Sequence, residues 1–339
     1  MKHNVRAYLS AENCTSVMFF AAAFLLPIFV SEYKVSEFSN YYISAILALS
    51  VSLVWGYTGI FSFGAAAFYG VGAYSYAILS KATENTALTP LFFLIAVSIA
   101  ALFAGLIGYF MFYGGINDSF VGLITLCVSL VLQTFMDQTA GGQWKILGVP
   151  LGGYNGMNKV PAITLGNVAV KGIPFYFVTL LIMLAIYLYF RWIKSRKIGY
   201  TLIAIRENRL RSQLFGYNVP WIQTVVFAAS GAIAAVAGVL YTTWGGYITP
   251  SSMGLTPATI PVVVVAAGGR KNITGAMIFA VLYAWFSQSL SSSGSQYSLI
   301  VLGVVLIVAI LFVPNGFIAS LFDWVDRTVL LRFTAKDKR

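Results

Sequence analysis

Of the 339 residues, 59% are hydrophobic and only 9% are charged, with a formal net charge of +11. A soluble domain carries about 25% charged residues, so this chain cannot cover itself with a polar surface and reads as an integral membrane protein. The basic excess fits loops held on the cytoplasmic side of a membrane better than a nucleic-acid partner, and no nucleic acid is expected.

Long apolar runs fit helices of roughly 17–25 residues and lack the alternation of a membrane barrel. Ten segments are predicted: 15–31, 40–58, 60–80, 90–114, 118–136, 173–191, 219–243, 257–268, 274–290 and 297–313. The first runs into SEYKVSEF rather than a small-residue cleavage site, so it is read as a retained span and not a signal peptide. Cys14 precedes it, and the single histidine, His3, lies near the start.

The second and third segments meet in GYTGIFSFGAAAFYGVGAYSYAIL, 56–79, with glycines at 56, 59, 64, 70 and 72. Each glycine inside a helix costs about 1 kcal/mol against alanine, so their number calls for a reason. One is close approach of helix backbones. The other is a broken helix beside a polar cavity, since irregular backbone at membrane depth must line one or be buried in protein. On the second reading Gly56, Tyr57, Ser62, Gly64 and Gly70 line a solute path, opposite Pro250 and Ser251.

Further along, Asp118 and Asp137 stand at segment ends, and Cys127 inside the fifth segment reads as a small core hydrophobe. Gln133, Gln223 and Gln288 are the main polar candidates within the spans. Intramembrane charge is nearly absent, which argues against an ion-coupled carrier, whose coupling ion needs a ligand.

The hydrophilic piece 192–218 holds Lys194, Arg196, Lys197, Arg206, Arg209 and Arg211 against one acid, Glu207, and is assigned to the cytoplasm. Leu202, Ile205, Leu210 and Leu214 recur at helical spacings, while Gly216, Asn218 and Pro220 are stop signals. One short amphipathic helix is expected, either lying on lipid headgroups or seated in a groove of a soluble partner.

Alternation from this loop puts both termini inside. It leaves Lys34, Lys81, Lys145, Lys159 and Lys171 outside, 5 of the 21 basic residues, and 16 inside, all the arginines among them. The eighth segment is short for a span at 1.5 Å per residue; it either begins near Pro250 or is a half-helix. The junctions at 55–62 and 244–252 fall at matching places in two sets of five segments, a pattern compatible with a 5+5 inverted repeat. The expected fold is thus an all-α integral membrane protein, one transmembrane domain over 1–339.

No histidine pair, metal-ligand spacing or G-x-x-x-x-G-K-[ST] loop occurs, so no catalytic, metal or ATP site is expected on this chain. AIRENRLRSQLFGYNVPWIQTVVFAASGAIAAVAGVLY (204–241), GYTGIFSFGAAAFYGVGAY, GGYNGM (152–157) and FVPNGF (312–317), spread over about 40–320, closely resemble the permease subunits of ABC importers for branched-chain amino acids. The resemblance implies a bacterial inner-membrane permease with four kinds of neighbour: a second homologous permease, two ABC ATPases that carry ATP and Mg, an extracytoplasmic substrate-binding protein and lipid. It also implies that 192–218 carries a coupling helix, with Arg206, Glu207, Arg209, Leu210, Leu214 and Gly216 meeting an ATPase.

Leu210, Arg211 and Ser212 replace the E-A-A of the coupling signature, a departure that bears on what those three residues contribute to coupling. Two other departures bear on substrate: Ala65 stands where a histidine is usual, and GGRKN replaces the common G-G-(L/M)-G. GGRKN at 268–272, with LFGYN and ITPSS, also resembles the urea-importing branch. Branched-chain or related hydrophobic amino acids are the leading substrate class, urea or short amides the alternative. A stand-alone ion-coupled carrier or channel is the reading of a different class.

Overall fold

The structure, a computed structural model, describes residues 11–83, 85–166, 168–292, 302–304, 307 and 316–336. Its helices in chain order are α1 (Ala11–Phe29), α2 (Glu32–Val51), α3 (Ala65–Ala82), α4 (Thr89–Tyr113), α5 (Asp118–Asp137) and α6 (Ile173–Lys194). Then come α7 (Lys197–Glu207), α8 (Arg209–Leu214), α9 (Val219–Gly245), α10 (Leu255–Gly268), α11 (Ile273–Ser292) and α12 (Phe317–Lys336). The first nine predicted segments each coincide with a helix; the tenth, 297–313, lies almost wholly outside the described residues.

Seven of these helices are long and apolar enough to cross a membrane, namely α1, α2 with its extension to Thr58, α4 from Thr86, α5, α6, α9 and α11. The protein is therefore an all-α integral membrane protein. The glycine-rich α3 and the 14-residue α10 fall outside that set, and each follows an interruption. After Val51 the chain of α2 widens into a π-helical turn, Ser52–Thr58, and Gly59 adopts φ 79°, a left-handed conformation that glycine takes at no steric cost. After Gly245 the chain passes through Gly246, strand Tyr247–Ile248 and the 3₁₀ turn Pro250–Met253 before α10 begins. The eighth segment is thus a half-length helix preceded by a separate turn at Pro250.

α9 is the hub. Asn218 caps its start by accepting from the Trp221 amide (3.1 Å), with Pro220 in the first turn. Two-thirds of it is buried, against about a quarter of α4 and α5, whose outer faces carry Leu94, Leu102, Leu106 and Leu123 toward lipid. Cys127 is exposed on α5 and not a core residue, because the buried face of that helix is Val121, Gly122, Thr125 and Ser129.

The glycines are where helices cross. A Cβ on Gly72 would stand 2.6 Å from Ala235 Cβ of α9, and one on Gly70 would collide with the Met253 side chain. Gly238 of α9 faces the Tyr69 carbonyl in the same way. Small residues here let α3 and α9 approach closely, which is the packing reason for their number.

Polar backbone at the first interruption is satisfied inside the protein. Phe63 N–H donates to Thr125 Oγ1 (3.0 Å) and Gly64 N–H to Ser62 Oγ (3.1 Å). The second is held by pairing of Met157–Asn158 with Tyr247–Ile248, which ties the 138–172 loop to the end of α9. Two further strand pairs, Lys145–Ile146 with Val149–Pro150 and Thr164–Leu165 with Val168–Ala169, shape that loop.

α12 lies where no helix was predicted. It packs on α1, α10 and α11, and Asp326 accepts from the Ala11 amide (2.8 Å) at the start of α1, where a carboxylate offsets an unpaired helix N–H.

Candidate translocation cavity and docking helix

A cavity of about 530 Å³ opens between α2, α3, α9, α10, α11 and the 247–252 link. Its polar wall includes Asn40, Ser44, Tyr241, Tyr247, Thr249, Ser251, Ser252, Ser287 and Gln288; its apolar wall includes Ile43, Leu47, Ile260 and Val264. None of its lining residues is an acid or a base. The hydroxyls are organised in pairs, Tyr241 with Tyr247 at 2.9 Å and Thr249 with Ser251 at 2.8 Å, and Ser252 Oγ donates to the Thr249 carbonyl. A second depression, containing Lys34 and Glu37, shares Tyr41 and Gln288 with it, so charge stands at the entrance and not in the interior.

Of the residues predicted to line a path, Ser251 does so. Pro250 is buried beside it. Gly56, Tyr57, Ser62, Gly64 and Gly70 are absent from the wall, because each is committed to packing or to holding the interruption. The Gly56 carbonyl accepts from Arg206 Nη1 at 2.6 Å, Tyr57 OH donates to the Phe190 carbonyl at 3.3 Å, Ser62 caps Gly64, and Gly70 abuts Met253. The tyrosines went unpredicted: with 20 in the chain, a tyrosine carries no positional signal until the fold gathers five of them, Tyr41, Tyr69, Tyr241, Tyr247 and Tyr283, on one wall. Gln288, named from sequence, does line the cavity, whereas Gln223 is buried in α9.

The basic loop forms two helices and not one. Asn208 takes an extended conformation (φ −158°) that ends α7, and its side chain accepts from the Arg211 amide (2.8 Å) to start α8. The break splits the expected apolar stripe. Leu202 and Ile205 of α7 are buried in this chain, while Leu210 (73% exposed), Leu214 (86%) and Phe215 (76%) stand clear of it.

The charges divide likewise. Arg206 turns inward, its side chain 19% exposed, bonded to Gly56 and to Glu207 (3.1 Å). Arg209 pairs with Asp118 at the start of α5 (3.3 Å). Both arginines are thus engaged within the chain, which departs from the expectation that they offer charge to an ATPase. Gly216, at φ 86°, ends α8 with open space around it. Among the described residues no cluster of His, Cys, Asp or Glu could hold a metal.

Comparison with known proteins agrees with this architecture. A family model described as branched-chain amino acid transport system / permease component matches residues 38–310. The chain is similar to the high-affinity branched-chain amino acid transport system permease protein LivM of Escherichia coli, at 23% identity over 86% of this chain and 71% of that protein. To the permease protein LivH of Salmonella typhimurium the identity is 26%, over 80% and 90%. To the ribose import permease protein RbsC of Haemophilus influenzae it is 26%, over 66% and 68%. No solved structure matches the chain significantly.

Proposed function

Because the chain belongs to the family of branched-chain amino acid transport permease components, we propose how this multi-pass permease subunit of an ABC importer is assembled, oriented and loaded. It sits in a bacterial inner membrane with α7 and α8 in the cytoplasm. It pairs with a second homologous permease, two ATPases that bind ATP and Mg, and an extracytoplasmic binding protein. It holds no cofactor of its own and does not itself hydrolyse ATP.

The observation that carries the reading is the face of α8. Leu210, Leu214 and Phe215 are exposed on and at the end of a six-residue helix that Arg209 holds to Asp118, directly after α7, which Arg206 holds to Gly56. Burying a leucine is worth roughly 1.5–3 kcal/mol, so a soluble groove that took these side chains would gain substantial affinity. The tie to the protein body favours a partner that delivers force over a headgroup surface, which needs no such anchorage.

For the cargo, a cavity without fixed charge but with hydroxyls and an aliphatic wall suits a small solute with an apolar side chain. Branched-chain or related hydrophobic amino acids have one. Urea has none, and would leave Ile43, Leu47, Ile260 and Val264 without a partner. The test is uptake of labelled leucine by vesicles containing this chain with its partner permease, ATPases and binding protein, with and without ATP. ATP-dependent uptake that excess leucine competes and excess urea does not is the expected result. Uptake by this chain alone, driven by an ion gradient, would overturn the proposal.

A further inference from the structure

Two arginines tie the cytoplasmic helices to the membrane domain, Arg209 through Asp118 and Arg206 through Gly56, and only the second reaches the helix that walls the cavity. Arg206, in the last turn of α7, donates through Nη1 to the Gly56 carbonyl at 2.6 Å. Gly56 lies in the π-helical turn that continues α2. On its other side Gly56 meets the α10–α11 turn, where a Cβ would collide with the Arg270 carbonyl oxygen; the Arg270 guanidinium lies 5.6 Å above the Trp55 ring. Gly59, at φ 79°, lets the chain pass Arg206, its Cβ position standing 2.9 Å from Arg206 Cγ. Two elements that reach the cavity, α2 and α10–α11, therefore meet at Gly56, whose carbonyl Arg206 holds.

The path from there to the cavity is one continuous helical rod. Asn40, Tyr41, Ile43, Ser44, Leu47 and Ala48 of α2 wall the cavity. Gly56 is eight residues beyond Ala48 on that rod, about 12 Å at 1.5 Å per residue. The π-turn that carries Gly56 is a rare departure from the α-helix, of a kind found frequently at functional sites. Arg206 also retains a buried Nε with no acceptor, so its guanidinium has a donor to spare.

We infer that Arg206 is a positioning residue that transmits motion of α7–α8 to α2: it holds the π-turn at Gly56 to the loop, so that a displacement of α8 moves the cavity wall. Resting on the importer reading above, this assigns the link inside that machine and moves Arg206 from the ATPase surface to the interior. A residue that merely fills space there would not change how much solute moves per ATP.

The experiment uses the full complex, with partner permease, ATPases and binding protein, in proteoliposomes. In Arg206→Met, ATPase co-purification and ATP hydrolysis stay at wild-type level. Uptake per ATP falls by about tenfold, the scale of losing a hydrogen bond from a charged donor. Arg206→Lys, which keeps a donor, recovers part of it. A covalent replacement gives the converse test: the Cβ position of Gly59 is 3.7 Å from Arg206 Cβ, within the roughly 3.5–4.5 Å of a disulfide.

In a chain with Cys14 and Cys127 replaced by serine, the double variant Gly59→Cys/Arg206→Cys is expected to be uncoupled when reduced and coupled again when oxidised. Strain from φ 79° is common to both redox forms, so their difference isolates the tie. Loss of ATPase binding in Arg206→Met, unchanged uptake per ATP, a double variant uncoupled in both redox forms, or one that assembles only when oxidised would each overturn the inference. Absence of ATP-dependent uptake by the wild-type complex, run alongside, would instead sink the importer reading itself.

Discussion

Gly70 and Gly72 are two residues apart on α3 and meet different neighbours, which separates what a methyl group does at each. At Gly70 the obstacle is Met253, a side chain whose three rotatable bonds let it move aside. At Gly72 it is Ala235, whose Cβ and Cα would stand 2.6 and 2.8 Å from the new atom; neither can rotate away, so α3 and α9 must separate. Overpacking of that kind costs about 1–3 kcal/mol. Gly72→Ala is therefore expected to lower the thermal stability and purified yield of the complex, and Gly70→Ala to lower both less, by the cost of displacing the buried Met253 side chain. Equal loss in detergent thermal-shift assays on both variants would contradict the assignment of α3–α9 contact. The composition of α3 made a close crossing legible in the sequence, but two glycines on one helix carry no mark of which faces backbone and which a flexible side chain. The same limit explains Arg206: an arginine in a basic loop reads as surface charge, and only the π-turn carbonyl it reaches, 150 positions away, reveals that it points inward.

The basic element 192–218 behaves as two helices because Asn208 caps the second while ending the first. The helical spacing of Leu202, Ile205, Leu210 and Leu214 was visible in the sequence; that it serves two surfaces was not, since periodicity does not register a change of helix axis. Leu202 and Ile205 pack inside the protein, whereas Leu210 and Leu214 do not. The pair Leu210→Asp/Leu214→Asp is thus expected to leave membrane insertion and yield intact and to abolish ATPase co-purification. Leu202→Asp, which buries a carboxylate without a partner, is expected to lower the yield of the chain itself. Full ATPase retention by the exposed double variant, measured by pull-down from detergent, would remove α8 as the docking surface. Filling the cavity at the middle of α11 tests the path. Ala284, on its wall, changed to Trp is expected to block uptake while ATPases still co-purify; normal uptake would place the route elsewhere.

Across the whole molecule, the residues assigned to one side by charge alone are gathered at one end of the fold. Gly56, Asp118, Arg206, Arg209 and Arg270 belong to four different links in the chain, and they meet through the Arg206–Gly56 bond, the Arg209–Asp118 pair and the Gly56–Arg270 contact. At the opposite end Lys81 Nζ donates to the Asn158 carbonyl (2.9 Å), Trp244 Nε1 to the Ser36 carbonyl (2.9 Å), and Met157–Asn158 pairs with Tyr247–Ile248. Wrong segment counts would scatter these groups between the two ends. Helix number and order were legible because a lipid-facing span must be long and apolar and its loops must choose a side. The short strands of the 138–172 loop were not, since two-residue pairings leave no period to read. The orientation is tested by single cysteines in a chain with Cys14 and Cys127, both exposed, replaced by serine. A cysteine at Tyr154, 76% exposed in the 138–172 loop, is expected to react with an impermeant maleimide added to intact cells. One at Lys197, at the start of α7, is expected to react only after the membrane is opened. The second outer site suggested by the charge pattern, Ser293, lies outside the described residues, so Tyr154 and Lys197 carry the test. The basic loop holds six of the chain's 21 basic residues against one acid, and positive charge of that density resists translocation. Labelling at Lys197 in intact cells would invert every loop at once, and with them the side from which α8 meets its partner.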